Sequence, residues 1–197
     1  MSRLIFATGN QGKMREIRMI MEGTGYEILS MKEAGANIDA EENGETFEEN
    51  ALIKARAAAK LLPGDIVLAD DSGLVVDALG GEPGIYSARY LGTETPYSVK
   101  NANIIERLEG VPDEKRTARF VCAIAAVLPD GREKVVRGVI EGRIGYAERG
   151  EHGFGYDPIF YVPELGCTTA EIPEEEKNEI SHRGRALRLM REELSRL

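Results

Sequence analysis

The feature that most narrows the fold is an alternation near the start of the chain. Residues 3–8 (RLIFAT) form an apolar run the length of a buried strand, and it ends in Gly9-Asn10-Gln11-Gly12. Met14, Ile17, Ile20 and Met21 then recur at helical spacing. Residues 26–30 (YEILS) read as a second strand. Thr46 and Glu49 make a Thr-x-x-Glu capping box. It opens a helix with Phe47, Ala51, Ala55, Ala58, Ala59 and Leu62 on one face, and Pro63-Gly64 stops that helix. Residues 66–70 (IVLAD) are a third strand. Strand, helix, strand, helix, strand predicts an α/β chain with helices packed on a sheet.

The later sequence adds to this sheet. Residues 74–79 read as a fourth strand and residues 97–108 as a helix. Residues 119–128 and 134–140 alternate like strands, joined by the hairpin signal Pro129-Asp130-Gly131. Ala186, Leu187, Met190, Leu194 and Leu197 mark an amphipathic helix running from Ser181 to the end. The expected architecture is a central mixed β-sheet with flanking helices, in a single domain over residues 1–197.

Composition excludes several function classes. With 42% hydrophobic and 30% charged residues, the 197-residue chain has the balance of a globular protein. A formal net charge of −9 lacks the basic field that draws in DNA or RNA, so no nucleic-acid partner is expected. Cys122 and Cys167 lie far apart, form no CxxC unit and suit a reducing compartment. No apolar run reaches the length of a signal peptide or membrane span, and the expectation is a cytoplasmic protein with no membrane partner.

Chemistry concentrates in a few segments. Thr8-Gly9-Asn10-Gln11-Gly12-Lys13 joins a strand to a helix. Glycines let backbone N–H groups approach an anion, and a helix N-terminus favours negative charge. It reads either as a phosphate cradle or as a plain glycine turn, and it is not a Walker A loop, since Met14 follows the lysine. Asp70-Asp71-Ser72-Gly73 falls where the third strand is expected to end, a usual place for ligands. Its paired carboxylates suit magnesium and proton transfer, or else an ordinary Asp-Ser-Gly turn. Glu48 and Glu49 are explained by the helix N-terminus, whereas Glu41 and Glu42 are not and remain candidates for a metal contact. Lys54 is the anomaly: it sits within the apolar stripe, not on the outer face with Arg56 and Lys60, so it either snorkels out or meets a buried anion. In Gly153-Phe154-Gly155-Tyr156-Asp157-Pro158, an aromatic ring can stack on a base or pack into the core. Lys177, His182 and Arg183 bring donors toward the last helix, for a purine carbonyl or merely for the surface.

In this order, TGNQGK (8–13), EENGETFEENALIKA (41–55), ADDSGL (69–74), GGEPGIYSARY (80–90), GFGYDPIF (153–160) and EEKNEISHRG (175–184) closely resemble the inosine triphosphate pyrophosphatase (XTP/dITP diphosphatase) family. The resemblance implies hydrolysis of ITP, dITP and XTP to the monophosphate and pyrophosphate with Mg2+ as cofactor. It implies that residues 8–13 hold the phosphates, that Asp71 is proton acceptor and metal ligand, and that Glu41 is a second metal contact. Ser72 and Lys54 would touch the nucleotide, Arg89 would belong to the site, and Phe154, Gly155, Tyr156, Asp157, Lys177, His182 and Arg183 would line the base pocket. It further implies an elongated, two-lobed chain with the cleft between lobes, and a homodimer. The alternatives are a pyrophosphatase for modified pyrimidine nucleotides and a nucleotide-binding regulator without catalysis.

Overall fold

The computed structural model describes residues 2–38 and 40–196. Leu197, expected at the end of the last helix, lies outside the described residues, as does Asp39 in the acidic loop. Among the described residues seven strands hydrogen-bond in the order β2-β1-β3-β4-β5-β6-β7. They are β1 (Arg3–Phe6), β2 (Glu27–Ser30), β3 (Ile66–Val76), β4 (Thr117–Val127), β5 (Glu133–Ile144), β6 (Phe160–Val162) and β7 (Cys167–Thr168). β1 is parallel to β2 and β3, while β6 is antiparallel to β5 and β7. The sheet is therefore mixed, as the early alternation and the later hairpin require. Among the described residues five α-helices accompany it: α1 (Gln11–Ile20), α2 (Phe47–Leu61), α3 (Tyr97–Arg107), α4 (Glu174–Ile180) and α5 (His182–Ser195).

Local chemistry sets the helix ends. The Asn10 side chain accepts from Lys13 N and caps α1. Thr46 Oγ accepts from Glu49 N at 3.1 Å and caps α2. The returning half of the capping box slips by one residue, because the Glu49 carboxylate takes Glu45 N at 2.7 Å. α2 ends just before Pro63-Gly64. Pro173 followed by Glu174, Glu175 and Glu176 starts α4, an acidic first turn that complements the helix dipole.

One sequence expectation is corrected. Residues 70–73 do not form a turn between two strands, and residues 74–79 are not a separate strand; β3 runs unbroken from Ile66 to Val76. Asp70 and Asp71 thus lie mid-strand and buried, not at a strand end. Tertiary partners override the turn preference of Asp, Ser and Gly, because cations lie beside both carboxylates.

The chain divides into two compact units, and β3, β4 and β5 contribute to both. The first comprises Met1–Asp71, Cys122–Gly138 and His182–Leu197. Its core gathers Leu4, Phe6, Met14, Ile17, Leu68, Ile124, Leu187 and Met190. The second comprises Ser72–Val121 and Val139–Ser181, and its core includes Leu74, Ile104, Phe120, Ile140, Ile159 and Phe160. No helix among the described residues is long and apolar enough to cross a membrane.

In the first unit, β5 passes against the start of α5 at Gly138. A Cβ there would lie 2.1 Å from His182 O and 2.6 Å from Ala186 N. Neither is a side-chain atom that can swing aside. Gly138→Ala is expected to destabilise the protein by about 3 kcal/mol or more, at or beyond the usual cost of overpacking. An unchanged urea midpoint would refute it.

Candidate active site

The first unit holds a cluster of opposed charges. Lys13, in the first turn of α1, places Nζ 2.9 Å from Asp70 Oδ2. Arg183, at the start of α5, places a guanidinium nitrogen 3.6 Å from the same oxygen and pairs with Glu16 of α1. Lys54 reaches inward from α2, with Nζ 3.4 Å from Glu42 Oε1 and 3.8 Å from Asp71 Oδ1. The lysine that interrupts the apolar stripe therefore does meet a buried anion. The two candidate glutamates separate: Glu42 joins Lys54 and acts on Asp71 electrostatically, whereas Glu41 is exposed.

Adjacent residues on a strand face different surroundings, and the two aspartates diverge accordingly. Burial opposes the Asp70 charge, but Lys13, then Arg183 and Lys54, outweigh it and hold the carboxyl well below its usual range. For Asp71 burial dominates; Lys54 opposes it only in part, Glu42 reinforces it, and the carboxyl is pushed up to about 6. Asp71 Oδ2 is buried and accepts no hydrogen bond from the described residues. Two neighbouring carboxyls with values driven apart are the pattern that separates a fixed anion from a working base. Asp70 has the electrostatics of the first and Asp71 those of the second.

The second unit holds another polar group. Lys177, on α4, donates to Asp157 Oδ2 at 2.7 Å, with both side chains 3% exposed. Asp157 also accepts from Phe154 N at 2.8 Å and from the Thr169 hydroxyl at 2.8 Å, which holds the loop of residues 153–157. Lys177 Nζ lies 5.1 Å from the centre of the half-buried Phe154 ring. Asn101 donates to Gly155 O. Tyr156 donates to Ser87 O at 2.6 Å and packs in a T-shaped pair with Tyr97, so its ring is core.

A match to the Ham1 family spans residues 4–193. The chain belongs to the Ham1 family. A protein of Geobacter sulfurreducens named dITP/XTP pyrophosphatase is 50% identical over 98% of this chain and 97% of its own. A Bacillus subtilis protein of the same name is 48% identical over 95% and 94%. Among solved structures, the Ham1 protein of Staphylococcus aureus superposes with a TM-score of 0.88 at 43% identity, covering 98% of both chains. A HAM1 protein of Coxiella burnetii gives 0.89 at 40% identity over the full length of both.

On this Ham1 scaffold the remaining sequence candidates take definite places. Gly9, Asn10 and Gln11 are exposed and Thr8 and Gly12 half-buried, at the junction of β1 and α1. Ser72 follows Asp71 in β3 and is half-buried. Arg89 is exposed, its guanidinium 5.0 Å from the Tyr86 ring centre. His182 is buried at the first residue of α5. Arg183, expected as a donor to a base, faces Glu16 and Asp70. Glu16 escaped the sequence reading, since a glutamate beside a helical stripe looks like a solvated flank; no local signal distinguishes it. Among the described residues no group of three His, Cys, Asp or Glu side chains forms a metal cage. Magnesium does not need one, because it binds through one or two carboxylates together with substrate phosphates. Asp71, with its buried free oxygen, and Glu42 fit that demand.

Proposed function

We propose that this chain hydrolyses the non-standard purine triphosphates dITP, XTP and ITP to the monophosphate and pyrophosphate, with magnesium bound alongside the substrate. The observation that carries this reading is the near-full-length match to relatives named dITP/XTP pyrophosphatase. Asp71 and Glu42 would hold the metal, which when bound would supply neutralisation of the triphosphate and polarisation of the α-phosphoryl group. Asp71 orients a water and accepts its proton as the water oxygen attacks the α-phosphorus. The bond from that phosphorus to the bridging oxygen breaks, and pyrophosphate leaves. Lys13 and the amides at the start of α1 take up charge on the leaving group. Within the second unit, Phe154 offers a stacking face for the purine beside Lys177 and Asp157.

The proposal extends to a cytoplasmic homodimer. Two free cysteines favour a reducing compartment. The resemblance of the motifs favours the dimer. A pyrophosphatase for modified pyrimidines finds no support among the named relatives, and a regulator without catalysis has no use for a carboxyl poised like Asp71.

Pyrophosphate release is the test. It is expected from dITP and XTP with magnesium, to stop in EDTA, and to be at least about 100-fold slower from ATP, whose 6-amino group mismatches donors set for a carbonyl. Orthophosphate as the first product, or equal turnover of ATP, would overturn the proposal.

A further inference from the structure

We propose that Glu16 is a positioning residue for Lys13, acting through Arg183 and Asp70 and thereby setting the grip of the phosphate loop on a polyphosphate tail. The proposal rests on the reading of that loop as the phosphate site. Four charged groups from three elements stand in series. Glu16 of α1 takes the Arg183 guanidinium. Another nitrogen of that guanidinium lies 3.6 Å from Asp70 Oδ2, and the same oxygen lies 2.9 Å from Lys13 Nζ. Glu16, Asp70 and Arg183 are buried. Of the four, Lys13 opens most toward water, its side chain 18% exposed.

The order of the series matters. Lysine is a point charge on a flexible stem, and an untethered one must be ordered each time a phosphate arrives. A carboxylate paired with Lys13 alone would fix the ammonium but also neutralise it. Sharing one Asp70 oxygen between two cations keeps the ammonium in place while leaving it attraction for an anion. Arg183 can play this part only if its own charge is balanced, and Glu16 balances it. A glutamate buried in a helix is otherwise a cost without return, since a buried charge is tolerated only when compensated. Removing the Glu16 charge leaves Asp70 to compensate Arg183 and frees Lys13.

The test is a cycle of variants with inorganic tripolyphosphate as the probe, its affinity read by calorimetry. Glu16→Gln keeps the size of the side chain and can still accept a hydrogen bond from Arg183. In the wild-type background it is expected to weaken tripolyphosphate roughly tenfold, and in a Lys13→Met background by less than about twofold, because the two residues act as one unit. Equal losses in both backgrounds would mean that Glu16 merely supports the fold. No loss in the wild-type background would remove Glu16 from the site. Either result overturns the proposal. Should Glu16→Gln fail to fold, Asp70→Asn in the same two backgrounds makes the same test one link along, with the same outcomes. Binding of tripolyphosphate needs no turnover, so coupling without dITP hydrolysis would sink the proposed function and leave the series of charges standing.

Discussion

Asp71→Asn is expected to lower turnover of dITP by about 10²- to 10⁴-fold, the range contributed by a positioned proton acceptor. It is expected at the same time to make the metal-free protein more stable above pH 7. Asp71 Oδ2 accepts no hydrogen bond from the described residues, so an amide forfeits none to them. Lys54 keeps Glu42 at 3.4 Å when the Asp71 charge is removed. Burial raises the folded-state carboxyl above its ordinary value, to about 6. A group raised in this way works against folding progressively as the pH rises above its unfolded-state value, and fully above the folded-state value, because the unfolded chain ionises it more readily. Below about pH 4 the carboxyl is protonated in both states and the effect vanishes. Across that window the difference amounts to roughly 2–3 kcal/mol. Thermal unfolding in EDTA at pH 8 and pH 4 checks it. The variant should gain stability over wild type at pH 8 and little at pH 4. A variant that keeps a tenth of the activity, or that melts lower than wild type at pH 8, would remove Asp71 from its assigned role. A residue that costs stability where it is charged and carries the rate is the signature of a working site.

The second large effect is expected at Lys177. Its ammonium lies 2.7 Å from Asp157 Oδ2 and both side chains are 3% exposed. Lys177→Met removes the cation and leaves a carboxylate buried with only the Phe154 amide and the Thr169 hydroxyl to stabilise it. Breaking one side of a buried pair costs about 3–5 kcal/mol, more than the pair itself contributes, because the stranded charge stays desolvated. The urea midpoint should fall accordingly. A second replacement, Asp157→Asn, made in the Lys177→Met background should restore part of the loss, since it removes the stranded charge. No loss in Lys177→Met would mean that the pair is open to water. The same substitution loosens residues 153–157, which Asp157 holds, so the Phe154 face should be disturbed and KM for dITP should rise with it.

Much of the fold was legible because local chemistry and burial agreed. The Thr46 cap and the Pro63-Gly64 stop place the ends of α2 from side-chain hydrogen bonding and backbone restriction alone. The hairpin between β4 and β5 follows from Pro129-Asp130-Gly131, and Gly131 adopts the positive φ that such a turn asks of glycine. Lys54 showed itself as a charge in an apolar stripe, a contradiction that only a buried anion or a route to solvent resolves. Two-residue β7 and three-residue β6 carry too little pattern to be seen, and they exist because neighbouring strands supply their hydrogen bonds.

What the sequence determined by itself was therefore the α/β class, most element ends and the segments in which the chemistry lies, because each depends on residues within a turn or two of one another. What only the tertiary structure decided depends on residues far apart. Residues 70–73 spell a turn, yet they lie within a strand, because Lys13, Lys54 and Arg183 come from three helices to meet its carboxylates. Asp70 and Asp71 are identical in sequence terms; which stays charged and which is poised near neutrality follows from the cations and the depth around each. Glu41 and Glu42 are adjacent and alike until the fold brings one of them to Lys54. Arg183 carries a donor suited to a base, but it pairs with Glu16, 167 positions away. Electrostatic energy depends on distance and burial, and neither is a property of neighbours along the chain.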